Sequence, residues 1–410
     1  MAVRLRDASV GCLLALLLTA TPVSAQMPSD PTAGLRLGPV TVRPSVQLAN
    51  VGVDTNILRE RENAKRDEVG TLASMLTGFM RIRPLRLSAT SDVGVDYFRR
   101  FESQRSINRQ HEFRADLPFH RIAVYGSGAF VNARQRFNYE IEERVRRIGR
   151  TTLAGTELRL TAKTRMGLEA RHSIVDFAAD EEIGDTSLRA VLERRADRLQ
   201  GFVSVSLTPL TTLVIRADTE RDRFASSPMR NADSLRIMPG IEFKPGAAIV
   251  GHAFLGYRRF DPKNNQFPSF RGLIGSVDTR WSVGSSTRLG LIVDRELEYS
   301  YQLTDPMYVL TVVRGSVTQR IGDQWELDVR TGRQRLAYRS TAVLMPLDAA
   351  TPGTSRTDRG WRNGIGVVYH VSRHLRIRGD AEHLNRRSDV LTGQFAVTRA
   401  TASIQYDFVR

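Results

Sequence analysis

From Leu85 to Tyr97 the chain alternates without a break. Odd positions carry Leu85, Leu87, Ala89, Ser91, Val93, Val95 and Tyr97, and even positions carry Arg86, Ser88, Thr90, Asp92, Gly94 and Asp96. A period of two sends successive side chains to opposite faces of an extended strand, whereas a helix needs a period of 3.6. His111 to Phe119, Leu199 to Leu207, Leu289 to Val293 and Trp325 to Val329 read the same way. About eighteen such segments begin near residues 45, 70, 85, 111, 122, 151, 165, 196, 211, 233, 247, 268, 286, 307, 324, 359, 374 and 394. Each is long enough to cross a bilayer as a tilted strand of about ten residues. The pattern predicts an all-β protein, a transmembrane antiparallel up-and-down β-barrel of about 18 strands, with 16 also compatible. A soluble sandwich or propeller is the competing fold; it would spend its aromatic residues on a core.

The connections separate these alternatives. Short turns at Pro84, 120–121, 163–164, 208–211, 245–246, 284–286, 321–323 and 372–373 alternate with longer polar loops at 59–69, 99–110, 135–150, 176–195, 221–232, 260–267, 301–306, 336–358 and 385–393. Bacterial barrels place short turns in the periplasm and long loops outside. Aromatic residues fall at both strand ends. Tyr97, Tyr257, Tyr299 and Trp361 mark the loop side, and Phe119, Phe243, Trp281, Trp325, Tyr369 and Phe408 the turn side, as expected of two interfacial girdles. Three strands read poorly. The first slips phase between Leu48 and Val51, the second mixes Met75 and Phe79 into its polar phase, and the fifth, 122–134, reads either way.

The N-terminus sets the compartment. Arg4 and Arg6, an apolar run around Leu13 to Leu18, and the small residues Ser24 and Ala25 form a signal-peptide pattern over 1–25. Residues 26–44, with Pro28, Pro31 and Pro39, form a periplasmic segment too small for a plug domain, and the barrel occupies 45–410. The one cysteine, Cys12, lies in the leader, so the mature chain forms no disulfide and no thiolate metal site. The expected location is the cell outer membrane.

Charge adds less than its size suggests. The chain holds 60 Lys and Arg against 44 Asp and Glu, almost all of the positive charge being arginine. An exported chain without a clustered basic helix does not read as a nucleic-acid binder. An anionic lipopolysaccharide leaflet or an acidic polysaccharide is the better counterpart. Charge is confined to the phase opposite the apolar one, as it must be when a charged residue on the lipid face costs about 2–4 kcal/mol at the midplane. This places Arg86, Arg114, Arg216, Arg236, Arg288, Arg314, Arg330, Arg376 and Arg378 on the lumen wall, interleaved with Asp116, Asp218, Glu242, Asp294, Asp328 and Asp380. A barrel of this width keeps water inside, where such residues filter solutes by size and charge. Loop 336–358 is the candidate constriction.

Other chemistry is sparse. His172 beside Ser173, and His383 near Asn385, do not make a catalytic constellation. Asp54 with Asn56, and Asp261 with Asn264 and Asn265, read as turn residues rather than a calcium site. No enzyme, cofactor or metal is expected. The final strand runs Ala402, Ile404, Tyr406, Phe408 on one phase, resembling the aromatic-terminated signal that the barrel-assembly machinery recognises, here displaced by Val409 and Arg410.

The first strand and its exit, Pro44, Ser45, Val46 through Val53, then Asp54, Thr55, Asn56 and Ile57, resemble the opening of a family of outer-membrane β-barrel porins associated with exopolysaccharide biosynthesis loci. Members show a strand ending in an Asp-Asp-Asn-like turn followed by an apolar residue. Here Val53 stands where an aromatic is common, and Thr55 replaces the second acid. The resemblance implies a part in exporting or assembling an extracellular polysaccharide. A general diffusion porin for small solutes fits the barrel equally well.

Overall fold

The computed structural model describes residues 34–341, 356–390 and 393–409. The signal-peptide pattern and most of the segment after it therefore lie outside the described residues. After a three-residue lead-in strand, Leu35–Leu37, eighteen long strands follow in chain order. They are β1 Val40–Asp54, β2 Asp67–Ile82, β3 Leu85–Phe98, β4 Ser106–Pro118, β5 Ile122–Arg136, β6 Arg144–Arg159, β7 Thr164–Phe177, β8 Arg194–Ser206 and β9 Thr211–Phe224. The other half comprises β10 Ala232–Phe243, β11 Ile249–Pro262, β12 Phe270–Val283, β13 Thr287–Tyr299, β14 Met307–Ile321, β15 Trp325–Arg339, β16 Thr357–His370, β17 Leu375–Arg387 and β18 Phe395–Asp407.

Each strand pairs antiparallel with the next, and β18 pairs back onto β1 from Ser45↔Asp407 to Asp54↔Arg399. The sheet is closed, which leaves no unpaired backbone edge to meet lipid.

The phase slip in the first strand is a β-bulge. Pairing of β1 shifts after Leu48 against β18 and after Ala49 against β2, and Asn50 adopts φ 54° while its N–H donates to Ser403 Oγ at 3.1 Å. The extra residue keeps Leu48 and Val51 on the same exposed outer face despite their odd spacing. In β2 the outward residues are Leu72 and Leu76, so Met75 and Phe79 point inward, where the Arg43 guanidinium lies 5.4 Å from the Phe79 ring centroid. In β5, Ile122 and Val124 face out and Tyr125 faces in, its hydroxyl donating to Glu169 Oε1 at 2.7 Å.

Strands run further toward the loops than apolar alternation indicates. β4 begins at Ser106 rather than near 111 and β6 at Arg144 rather than near 151, while β1 is extended at its turn-side end, to Val40. The backbone ladder continues above the hydrocarbon, where outward positions such as Arg109 and Arg150 are polar and no longer mark a strand by hydropathy.

One hairpin leaves the wall. Pairing of β12 with β13 stops at Gly275↔Arg295, although β12 continues to Phe270 and β13 to Tyr299. Beyond that point Leu297, Tyr299, Met307 and Val309 pack in one cluster with Phe224 of β9, Phe260 of β11 and Ile274 of β12. Tyr299 is thus not a girdle residue. It is 8% exposed, and its hydroxyl donates to Asp222 Oδ2 of β9 at 2.9 Å, a contact possible only across the interior. Of the other assigned girdle residues, Tyr97, Tyr257, Trp361, Phe119, Trp281, Trp325 and Phe408 are exposed on the outer face, whereas Phe243 and Tyr369 are half-buried.

Candidate functional site

Antiparallel pairing fixes which side chains share the interior, since a strand with alternate residues against lipid must send the others inward. Most of the charged residues assigned there from sequence form ion pairs. Arg114 meets Asp116 at 2.8 Å, Arg216 meets Glu242 at 2.5 Å, Arg288 meets Glu326 at 2.7 Å and Arg376 meets Asp407 at 3.1 Å. Asp294 accepts from Ser276 Oγ at 3.0 Å. Arg86 lies opposite Asp116 in the β3–β4 register.

Two groups reach between strands that are not neighbours. Arg378 bridges Asp328 at 3.0 Å and Asp380 at 2.7 Å, and Arg330 joins the same two carboxylates, linking β15 to β17. On the other wall Arg236 meets Asp218 at 2.9 Å and Glu220 at 3.1 Å, while Arg258 meets Glu296 at 2.7 Å. Arg236 and Arg258 each have more than one carboxylate partner, so neither is left as an uncompensated charge, and removing one partner of such a pair costs about 3–5 kcal/mol.

The interior is also crossed by chain. Loop 137–143, between β5 and β6, is shaped by Asn138, whose Oδ1 accepts the N–H groups of Glu140 at 2.9 Å and Ile141 at 2.7 Å. From there it reaches the far wall. The Arg314 guanidinium of β14 donates to the Tyr139 hydroxyl, and Arg386 Nη1 of β17 donates to the carbonyls of Tyr139 at 3.1 Å and Glu140 at 2.9 Å. Glu140 in turn accepts from Ser300 Oγ at 2.6 Å and from the Tyr301 N–H at 3.2 Å, at the tip of the inward-leaning hairpin. Arg230, from the loop after β9, donates to the Ser300 carbonyl at 2.6 Å and the Gln302 carbonyl at 2.8 Å.

An apolar seal accompanies these bonds. Ile141 joins Leu188, Val191 and Leu192 of a short helix in loop 178–193 in the same buried cluster as the hairpin. Four extracellular segments therefore meet inside the mouth.

Asp358 anchors the arrangement on the β16 side. It is fully buried and accepts from Arg356 at 2.8 Å, from the Tyr338 hydroxyl at 3.2 Å, and from Arg386 and Ser388. Burial pushes the Glu140 carboxyl up to about 7, against the opposing pull of its Ser300 bond and of Arg386. Burial likewise draws Arg59 and Arg230 down to about 10, leaving both charged at neutral pH.

The turn after β1 belongs to the seam. Asp54 accepts from the Asn56 N–H at 2.9 Å and from Arg399 Nε at 2.6 Å, and Asn56 Nδ2 donates to the Glu60 carbonyl at 2.7 Å and the Ala396 carbonyl at 3.0 Å. Its Asp and Asn are thus used to close β18 against β1. His172 and Ser173 point to opposite faces of β7: His172 meets Asp197 at 2.6 Å, and the Ser173 hydroxyl lies 3.3 Å from that of Thr151. His383 Nδ1 lies 2.9 Å from Thr398 Oγ1.

Sequence reasoning passed over Asp358, Arg386, Tyr139 and Glu140 because it assigned them to loops. A signal was present for one: Arg386 extends the inward phase of Arg376, Arg378, Asp380 and Glu382 beyond the apolar band. Of the candidate constriction 336–358, residues 342–355 lie outside the described residues, and the ends belong to β15 and β16.

A closed barrel with an apolar outer wall, a charged interior and infolded loops defines a porin-like protein of the outer membrane. The chain belongs to the family described as "Putative beta-barrel porin 2", whose model matches residues 28–408. No curated protein matches the sequence. Among solved structures it is similar to OpdQ of Pseudomonas aeruginosa, with 9% identity, a TM-score of 0.48, and 90% of this chain and 98% of that one covered. OccK3 (OpdO) of the same organism gives 10% identity and a TM-score of 0.45 over 90% and 96%. OpdK gives 10% and 0.42 over 90% and 99%.

Proposed function

We propose that this protein is a gated channel for small charged solutes rather than a permanently open pore. The observation that carries this reading is loop 137–143, which crosses the lumen and is held on the far wall by Arg314 and Arg386. Below it the wall carries both signs of charge in fixed ion pairs, the arrangement by which a wide barrel sorts ions. Export of an acidic extracellular polysaccharide, implied by the family resemblance, needs the same contacts to part to the width of a polymer. Single-channel recording of the purified protein in a planar bilayer tests the proposal: brief openings from a closed baseline are expected, and a steady, large wild-type current would refute gating.

A further inference from the structure

The outer wall carries a second charged feature that the channel does not use. On β15, β16 and β17 the outward phase continues above the apolar band into Arg333, Arg335, Arg359 and Arg387. Inward arginines on these strands have carboxylate partners, as Arg330 has Asp328 and Asp380. Among the described residues these four outward guanidinia enter no ion pair. Arg333 instead lies 5.1 Å from the ring centroid of Trp361, which is 46% exposed.

Beneath and beside them the surface is hollowed. Arg333, Arg359, Arg387 and Trp361 border a depression of about 480 Å³. An adjoining one of about 530 Å³, sharing Arg333 and Trp361, has Val313, Gly315 and Thr331 in its floor. The eight residue steps from the turn-side Trp325 to Arg333 rise roughly 20 Å along a strand tilted by about 40°. The guanidinia therefore stand at the outer headgroup level, with an apolar groove running down from them into the hydrocarbon.

We propose that this face binds lipopolysaccharide, the arginines holding the lipid A phosphates and the groove between Trp361 and Val313 seating an acyl chain. A planar guanidinium presents paired donors that match a phosphate, and an unpaired cation next to lipid acquires its counter-charge from the lipid.

The full-length protein, purified in detergent, is titrated with bisphosphorylated lipid A and with its dephosphorylated form, and retained lipid is read by native mass spectrometry. Wild type is expected to keep the phosphorylated lipid. The triple variant Arg333→Gln, Arg359→Gln, Arg387→Gln should bind it about a hundredfold more weakly, each arginine having lost its attraction to an anionic surface. The pair Arg121→Gln, Lys163→Gln, in the short turns after β4 and β6 at the opposite end of the barrel, should bind as wild type does. Three results would overturn the proposal: equal retention by the triple variant, equal retention of the dephosphorylated lipid, or a change of oligomeric state in the triple variant with no phosphorylated lipid retained by wild type, which would make the face an interface between copies.

Discussion

Replacing Arg386 by alanine is the most direct way to release the infolded loop. Arg386 is 4% exposed and donates to Asp358 and to the carbonyls of Tyr139 and Glu140. A hydrogen bond from a charged donor contributes about 1.5–3 kcal/mol, so the two loop contacts together hold loop 137–143 by about 3–6 kcal/mol. Asp358 keeps Arg356, Ser388 and Tyr338 as donors, so the variant does not strand a bare carboxylate. The strand ladder from β1 to β18 is untouched, and the barrel itself should remain folded. Because about 1.4 kcal/mol is tenfold in an equilibrium, the closed-to-open ratio should fall by a factor of about 100 or more. Single-channel recording reads this as a rise in open probability, with heat-modifiable gel mobility confirming that the barrel is intact. Arg386→Lys, which keeps the charge but not the forked geometry, should lie between the two. An Arg386→Ala barrel that is folded and gates as wild type does would refute the role given to loop 137–143.

Two further outcomes follow from particular residues. Glu140 has its pKa raised from the ordinary 4.5 to about 7 by burial, so between these values the closed loop holds more proton than the released one. Closure is then fully supported below about 4.5, weakens as pH rises through the window, and changes no further above about 7. Open probability should increase from pH 5 to pH 7.5 and become flat in Glu140→Gln; an opposite slope, or the same slope in the variant, would remove Glu140 from the mechanism. On the barrel wall, Leu255→Arg places a charge on the most lipid-exposed leucine, 65% accessible, at a cost of about 2–4 kcal/mol. Ser276→Arg, at the same depth on the inward phase and beside Asp294, should assemble normally, and equal assembly yields for the two would contradict the assignment of inside and outside.

Much of this architecture is written in local pattern. A strand half against lipid and half against water must alternate, and a charge on the wrong phase is costly. Alternation therefore indicated about eighteen strands, with sixteen also compatible, the two faces, and the alternation of turns and loops. Even the phase slip at Leu48 to Val51 was visible, as the trace of a bulge. The mouth was not legible in this way. Above the hydrocarbon no solvent contrast distinguishes inward from outward, so Arg144, Asp358 and Arg386 look like loop residues although the ladder continues through them. Tyr299 reads as an interfacial aromatic because its spacing is right; only the parting of β13 from β12 turns it inward onto Asp222. Likewise Tyr139 and Arg314, 175 positions apart, meet because closure of the barrel brings the loop after β5 over the wall at β14. The sequence by itself determined a membrane barrel with a charged interior, since those follow from each residue's relation to lipid. Whether that interior is crossed, and by which loop, depends on contacts between segments remote in sequence, and the tertiary structure alone decided it.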